Sequence, residues 1–137
     1  MATLAISAEA VGIMQKMNEL TLDYTKTREQ FGQALSKFQA LQHRMVDTFM
    51  VHEQTKSLLL MAAAKMNDKA ADTSKSISAL KYQIGSAAKL IGEESIQLHG
   101  GMGVTEEMSI GHYFKRLTTI RTIFGNSDYH LKRYSSL

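Results

Sequence analysis

The chain has no proline anywhere in its 137 residues. Proline removes an amide donor and its ring clashes with the preceding turn, so a chain of this length without one can run long helices unbroken. Apolar side chains recur at three- and four-residue spacing through most of the sequence, the repeat of an amphipathic helix. The pattern predicts a first helix over roughly Thr3 to Thr27, with Ile6, Ala10, Ile13, Met17, Leu20 and Tyr24 on one face. A second runs from about Leu35 to Met66, where Phe38, Leu41, Met45, Phe49, His52, Leu59, Ala63 and Met66 keep the spacing. A third follows the Asn67-Asp68 break, carries Ile77, Leu80, Ile84, Ala87, Ile91 and Leu98, and stops at His99-Gly100-Gly101. There glycine can take the positive φ that closes a helix.

A shorter helix is expected from Thr105, whose hydroxyl can cap it while Glu106 and Glu107 complement the helix dipole. Ile110, Phe114, Leu117 and Arg121 then share a face. Gly125-Asn126-Ser127-Asp128 reads as a turn and cap before a last helix. No alternating strand pattern of useful length appears. Long helices with short connections pack against their sequence neighbours, so the expected fold is all-α: an up-and-down four-helix bundle with a short C-terminal helix, one domain over 1–137.

Composition narrows the class. Hydrophobic residues at 44% and charged residues at 21% describe an ordinary globular chain. The net charge of +3 is spread, with Lys65 and Lys69 flanking Asp68 and Lys26 and Arg28 preceding Glu29. Nucleic-acid binding calls for a clustered basic stripe instead. No apolar run reaches the roughly 20 residues of a membrane span. The N-terminus lacks the basic region of a signal peptide and enters helical periodicity without a cap, as expected if sequence precedes it. Absence of cysteine removes disulfides, thiolate metal sites and thiol nucleophiles, and fits a reducing, cytoplasmic setting.

Generic catalytic motifs are missing. The histidines (His43, His52, His99, His112, His130) are not paired at metal-ligand spacing, so no metal site is expected. His52, on an apolar face, reads as a hydrogen-bonded core histidine. Glu93 and Glu94 diverge by about 100° on a helix and read as a solvated face. The nine methionines, at core spacing, read as gap fillers. Three segments hold more chemistry than a turn needs: Tyr24 to Gly32, with a cation beside an aromatic; Gln97 to Gly103, with bare amides beside a carboxamide; and Phe124 to Asp128, at a helix start. Arginine forks and exposed amides suit a diphosphate, and a planar amide suits a heteroaromatic ring. Taken singly, each segment is equally a simple turn.

Taken together, they resemble one family. TRxQFGxxLxxFQxLQ, matched by Thr27 to Gln42, is similar to the signature opening the second bundle helix of acyl-CoA dehydrogenases. QxxGGxGVTEE, matched by Gln97 to Glu107, is similar to their second signature. Lys115 to Ser127 sits where that family carries an arginine-led segment, its base and a flavin-contacting turn. The resemblance implies the family's C-terminal helical domain, without its N-terminal helical and middle β domains. It implies FAD as the cofactor, an acyl-CoA substrate, an electron-transfer flavoprotein as redox partner, and homo- or hetero-oligomers of dehydrogenase subunits.

By the same resemblance, Arg28 contacts the FAD diphosphate, Phe31 lies beside it, and Gln39 reaches the flavin region. Gln97, Leu98, His99, Gly100 and Gly101 cradle the adenine side of a neighbour's FAD, and Ser127 follows the catalytic turn. Tyr129 stands where the family has glutamine or glutamate. Many members carry their catalytic glutamate where this chain has Gly125, and others carry it around Ala2, so no catalytic residue is assigned. Glu9, two turns beyond Ala2, is the remaining carboxylate on that face. Some bacterial branches pair an active subunit with a related one lacking the base, and this sequence is similar to those. Three readings follow: an FAD-contacting domain of an acyl-CoA dehydrogenase-type flavoprotein, a non-catalytic helical assembly subunit, or a helical binding module unrelated to flavin.

Overall fold

A computed structural model describes residues 1–100 and 109–137. Five helices carry the chain: α1 (Ala2–Thr27), α2 (Gln39–Asn67), α3 (Thr73–His99), α4 (Ser109–Ile120) and α5 (Ser127–Ser136). The all-α up-and-down bundle expected from the periodicity is the fold observed. The expected helix start at Thr105 lies outside the described residues. α3 is the central element and packs against α1, α2, α4 and α5. Leu80, Ile84, Ala87 and Ile91 of α3 are fully buried, with Ala10, Met14 and Met17 of α1 and Ile110, Leu117 and Ile120 around them. α3 ends at Gly100, whose φ of +60° is one that glycine adopts without strain.

Two expectations about α2 are corrected. It begins at Gln39, not Leu35, because Leu35–Lys37 form a separate 3-10 turn and Phe38 is extended at φ −78°, ψ 120°. Two bonds set the break apart from α2: the Leu35 amide donates to Arg28 O at 2.8 Å, and the Gln42 carboxamide donates to Ser36 O at 2.8 Å. The apolar stripe read for α2 is also only partly its interior. The buried residues are Thr48, His52, Thr55 and Ala62, while Phe49 of the expected stripe is 59% exposed. Threonine can be buried here because its hydroxyl finds a carbonyl within its own helix: Thr48 Oγ1 donates to Met45 O at 2.8 Å and Thr55 Oγ1 to Val51 O at 2.7 Å. His52 is the core histidine expected, its Nε2 3.2 Å from Val11 O. Apolarity alone could not tell the inner face from an apolar outer one, and α2 has both: Val46, Phe49, Met50 and Leu60 form an exposed apolar side.

The turn from α4 to α5 is held by a buried polar relay. Arg133 Nη1 donates to Ser78 Oγ at 3.0 Å, and Ser78 Oγ lies 3.2 Å from His130 Nδ1. His130 Nε2 is 2.8 Å from Phe124 O. A carbonyl can only accept, so Nε2 carries a proton; in the neutral ring Nδ1 is then the acceptor and takes the Ser78 hydroxyl proton. Burial holds the His130 pKa below its ordinary 6.5, opposed by the Phe124 carbonyl and reinforced by the Lys81 and Arg133 charges. The unfolded chain therefore binds the extra proton first. Stability contributed by this group is present above the ordinary histidine range and is lost as pH falls through and below it. Thermal unfolding followed from about pH 8 to about pH 5 should show an acid-side fall that is shallower in His130→Gln. Equal slopes for the two proteins would count against the relay.

Candidate functional site

The end of α1, the hairpin after it, the start of α2 and the end of α3 enclose a cleft of about 440 Å³. Its walls include Tyr24, Arg28, Gln30, Leu41, Arg44, Gln97, Leu98, His99 and Gly100. Each is placed by local structure. Arg28 is the extended residue ending α1; its amide donates to Tyr24 O at 2.9 Å and its carbonyl accepts from Leu35. The backbone is thus pinned on both sides while the side chain is exposed. Among the described residues Arg28 has no acidic partner. Tyr24 and His99 stack with ring centroids 4.4 Å apart and planes at 24°, a flat apolar wall beside that cation. His99 is itself fixed, its Nδ1 2.8 Å from Ser95 O. Gln97 is held by Arg44, whose Nη2 donates to Gln97 Oε1 at 2.5 Å while its Nε donates to Glu94 Oε2 at 2.5 Å. Glu94 is therefore an anchor for Arg44, a correction to the solvated face expected for the Glu93-Glu94 pair.

Phe31 sits on the hairpin tip. Glu29–Gln30 pair with Gln33–Ala34, and the two-residue turn Phe31-Gly32 has φ of +53° and +80°. Positive φ at both positions is the turn that matches strand twist, but for phenylalanine it is strained by roughly 1–2 kcal/mol. The ring is 92% exposed, touching Phe38 edge-on at 6.5 Å.

The remaining expected site residues do not join this cleft within one chain. Gln39 is exposed at the start of α2 and does not line it. Leu98, by contrast, is on the cleft wall although almost wholly buried. Ser127 belongs to a second, shallow cleft of about 410 Å³ with Thr118, Arg121, Thr122, Asn126 and Asp128. Gly101 lies outside the described residues.

Sequence reasoning missed one group near the base position. Lys81 is fully buried in α3, and its ammonium donates to Gly125 O at 2.8 Å and Arg121 O at 3.4 Å. Burial pushes its pKa below 10.5. The only signal in the sequence was a lysine at core spacing. Tyr129, marked in the sequence only as a departure from the family, closes the position: Gly125 has φ +100°, and a Cβ added there would lie 2.3 Å from Tyr129 Cδ1 and 3.0 Å from His130 Nε2. Glu9 is committed elsewhere. Arg116 of α4 grips it with both arms, Nε to Oε1 at 2.6 Å and Nη2 to Oε2 at 3.0 Å. That pairing holds its carboxyl below the usual carboxylate range, away from the tuning a general base needs.

The cleft thus places an exposed cation, a carboxamide and a stacked ring pair together on an all-α scaffold. The chain matches the family model for the acyl-CoA dehydrogenase C-terminal domain over residues 1–135. It is 34% identical over 133 residues to the acyl-CoA dehydrogenase IpdE2 of Mycolicibacterium smegmatis, covering 96% of this chain and 40% of that protein. It resembles the Tcur3481–Tcur3483 steroid acyl-CoA dehydrogenase at a TM-score of 0.94 and 30% identity, covering 98% of this chain and 37% of that one. It also resembles PigA, solved with FAD and proline, at a TM-score of 0.91 and 29% identity, covering 98% and 35%. The chain belongs to the acyl-CoA dehydrogenase family, a family of FAD-dependent oxidoreductases, and is its C-terminal helical domain. It spans about two fifths of the length of the curated relative named above.

Proposed function

We propose that this domain supplies FAD contacts and oligomer surface to an acyl-CoA dehydrogenase-type flavoprotein that oxidises the Cα–Cβ bond of an acyl-CoA thioester. The observation that carries the reading is the cleft between Arg28 and Gly100, which sets a guanidinium without an acidic partner among the described residues beside the Gln97 carboxamide. Such a set suits diphosphate oxygens, and the Tyr24–His99 wall suits a heteroaromatic ring. Bound FAD would supply the acceptor for the hydride leaving Cβ, with a base taking the proton from Cα. Arg28 orients the diphosphate, Gln97 to Gly101 flank the adenine side, and Phe31 on its exposed tip reaches the cofactor from a neighbouring subunit. Gln39 and Ser127, outside the cleft, serve the same cofactor across the subunit interface. The exposed apolar side of α2 supports self-association or pairing with a related dehydrogenase subunit, since large apolar patches mark interaction sites. Acyl-CoA and an electron-transfer flavoprotein are the partners of the complete enzyme, and the cytoplasm is its compartment. Among the described residues no helix is long and apolar enough to cross a membrane.

A helper-subunit form of this reading is favoured by one local fact: neither Gly125 nor Glu9 is fit to abstract the α-proton. Acyl-CoA turnover should therefore be negligible for the full-length homo-oligomer. It should appear when a related subunit carrying glutamate at the Gly125 position is co-expressed. Turnover by the homo-oligomer alone, abolished in Glu9→Gln, would make Glu9 the base and overturn the helper account.

A further inference from the structure

Gln97 lies on the cleft wall, yet its contact with Arg44 decides which end of its carboxamide a ligand can meet. Glu94 and Gln97 are three residues apart on α3, so they lie one turn apart on the same side of the helix. Arg44, reaching across from α2, spans both: Nε to Glu94 Oε2 and Nη2 to Gln97 Oε1, each at 2.5 Å. A guanidinium has five donors and no acceptor. Gln97 must therefore turn its oxygen toward Arg44, which removes the ambiguity that usually attends a carboxamide. The amide nitrogen, with two protons, is left as the end available to the cleft. Glu94 meanwhile balances the charge of Arg44, so the cleft cation without an acidic partner among the described residues remains Arg28.

We infer that Arg44 is a positioning residue that fixes Gln97 as a hydrogen-bond donor. The Gln97 end of the cleft is thereby committed to a ligand group that accepts: a phosphate oxygen or an unprotonated ring nitrogen of the cofactor. Were the carboxamide free to turn, Gln97 could equally accept from an amino group, and the cleft would lose that discrimination. Because an arginine at this position is paired to Glu94 before any ligand arrives, the orientation is set in advance and costs nothing at binding. This inference rests on the reading of the cleft as part of an FAD site.

The test measures FAD affinity of the full-length protein by flavin fluorescence titration, alongside thermal unfolding of the apoprotein. Arg44→Met should weaken FAD roughly tenfold, the size of one lost oriented hydrogen bond, with little change in apoprotein melting. Arg44→Lys, which keeps one donor for Gln97 Oε1, should recover part of that affinity. Gln97→Glu should weaken FAD by roughly 100-fold, because the new carboxylate can satisfy Arg44 but offers the ligand only acceptors and a like charge. The double variant Arg44→Met/Glu94→Gln restores the charge balance without restoring the orientation, so it should bind as weakly as Arg44→Met. Recovery of wild-type affinity in that double variant would overturn the proposal in favour of a simple charge effect. Wild-type affinity in Arg44→Met or Gln97→Glu would overturn it outright. Either result, with wild-type protein still binding FAD, leaves the proposed function standing; wild-type protein that binds no FAD sinks the proposed function itself.

Discussion

Gly125→Glu is expected to disrupt the α4–α5 turn and to give no working base. The position is closed in three ways. Its φ of +100° lies where a side chain is strained by roughly 1–2 kcal/mol. An added Cβ meets the Tyr129 ring at 2.3 and 2.9 Å and His130 Nε2 at 3.0 Å, all inside ordinary contact, and overpacking of this kind costs roughly 1–3 kcal/mol. The backbone cannot easily yield either, because Lys81 holds Gly125 O and His130 holds Phe124 O. Together these come to about 2–5 kcal/mol, a large part of the 5–15 kcal/mol typical of a domain. Thermal unfolding should show a fall in Tm on the order of 10 °C, with a smaller fall for Gly125→Ala. Adding Tyr129→Ala to Gly125→Glu should return part of the loss, since the tyrosine ring is the nearest obstruction. An undiminished Tm together with new acyl-CoA oxidation would show that the turn can accept a base after all.

The fold was legible because its signal is repeated. α1 and α3 each keep apolar residues at helical spacing for about seven turns, and no proline interrupts them, so the helices read through although polar residues are buried among them (Ser7, Thr21 and Thr25 of α1; Ser76, Ser78, Lys81 and Ser95 of α3). α2 was legible as a helix but not in its facing. Phe49 and Thr48 are neighbours in sequence, and the larger apolar residue is the exposed one, because the two point about 100° apart and α2 docks by its Thr48 side, where the hydroxyl is satisfied on Met45 O. Local hydrogen bonding of that kind leaves no periodic trace. The hairpin at Glu29–Ala34 and the break at Phe38 escaped for the same reason: each is fixed by single backbone bonds, not by a pattern.

For the site, motif likeness picked out Arg28 and the Gln97–Gly100 segment, and these do share one cleft. Arg44 and Tyr24 complete that cleft and Glu94 anchors Arg44, but each lies 50 or more residues in sequence from a group it touches. A long-range pair between ordinary residues can be read only once the helices are docked. Lys81 is the clearest case, since a lysine at core spacing reads as an outlier until the carbonyls of Arg121 and Gly125 are seen around its ammonium.

The reading as an FAD-contacting domain turns on Arg28. It is the one cation of the cleft without an acidic partner among the described residues, and its backbone is fixed at both ends, so little ordering is needed when an anion arrives. A charge-assisted contact of this type contributes roughly 1.5–3 kcal/mol, which sets the expected effect. Arg28→Gln keeps the length and polarity of the side chain while removing the charge and the fork. Equilibrium FAD titration of the full-length protein, wild type against Arg28→Gln, with the isolated 137-residue chain as a third sample, is the most direct measurement. The account predicts stoichiometric flavin in the wild type, affinity lower by roughly 10- to 100-fold in Arg28→Gln, unchanged melting of the Arg28→Gln apoprotein, and no stoichiometric flavin in the isolated chain. Wild-type affinity in Arg28→Gln, or a full-length protein that takes up no FAD, would contradict it.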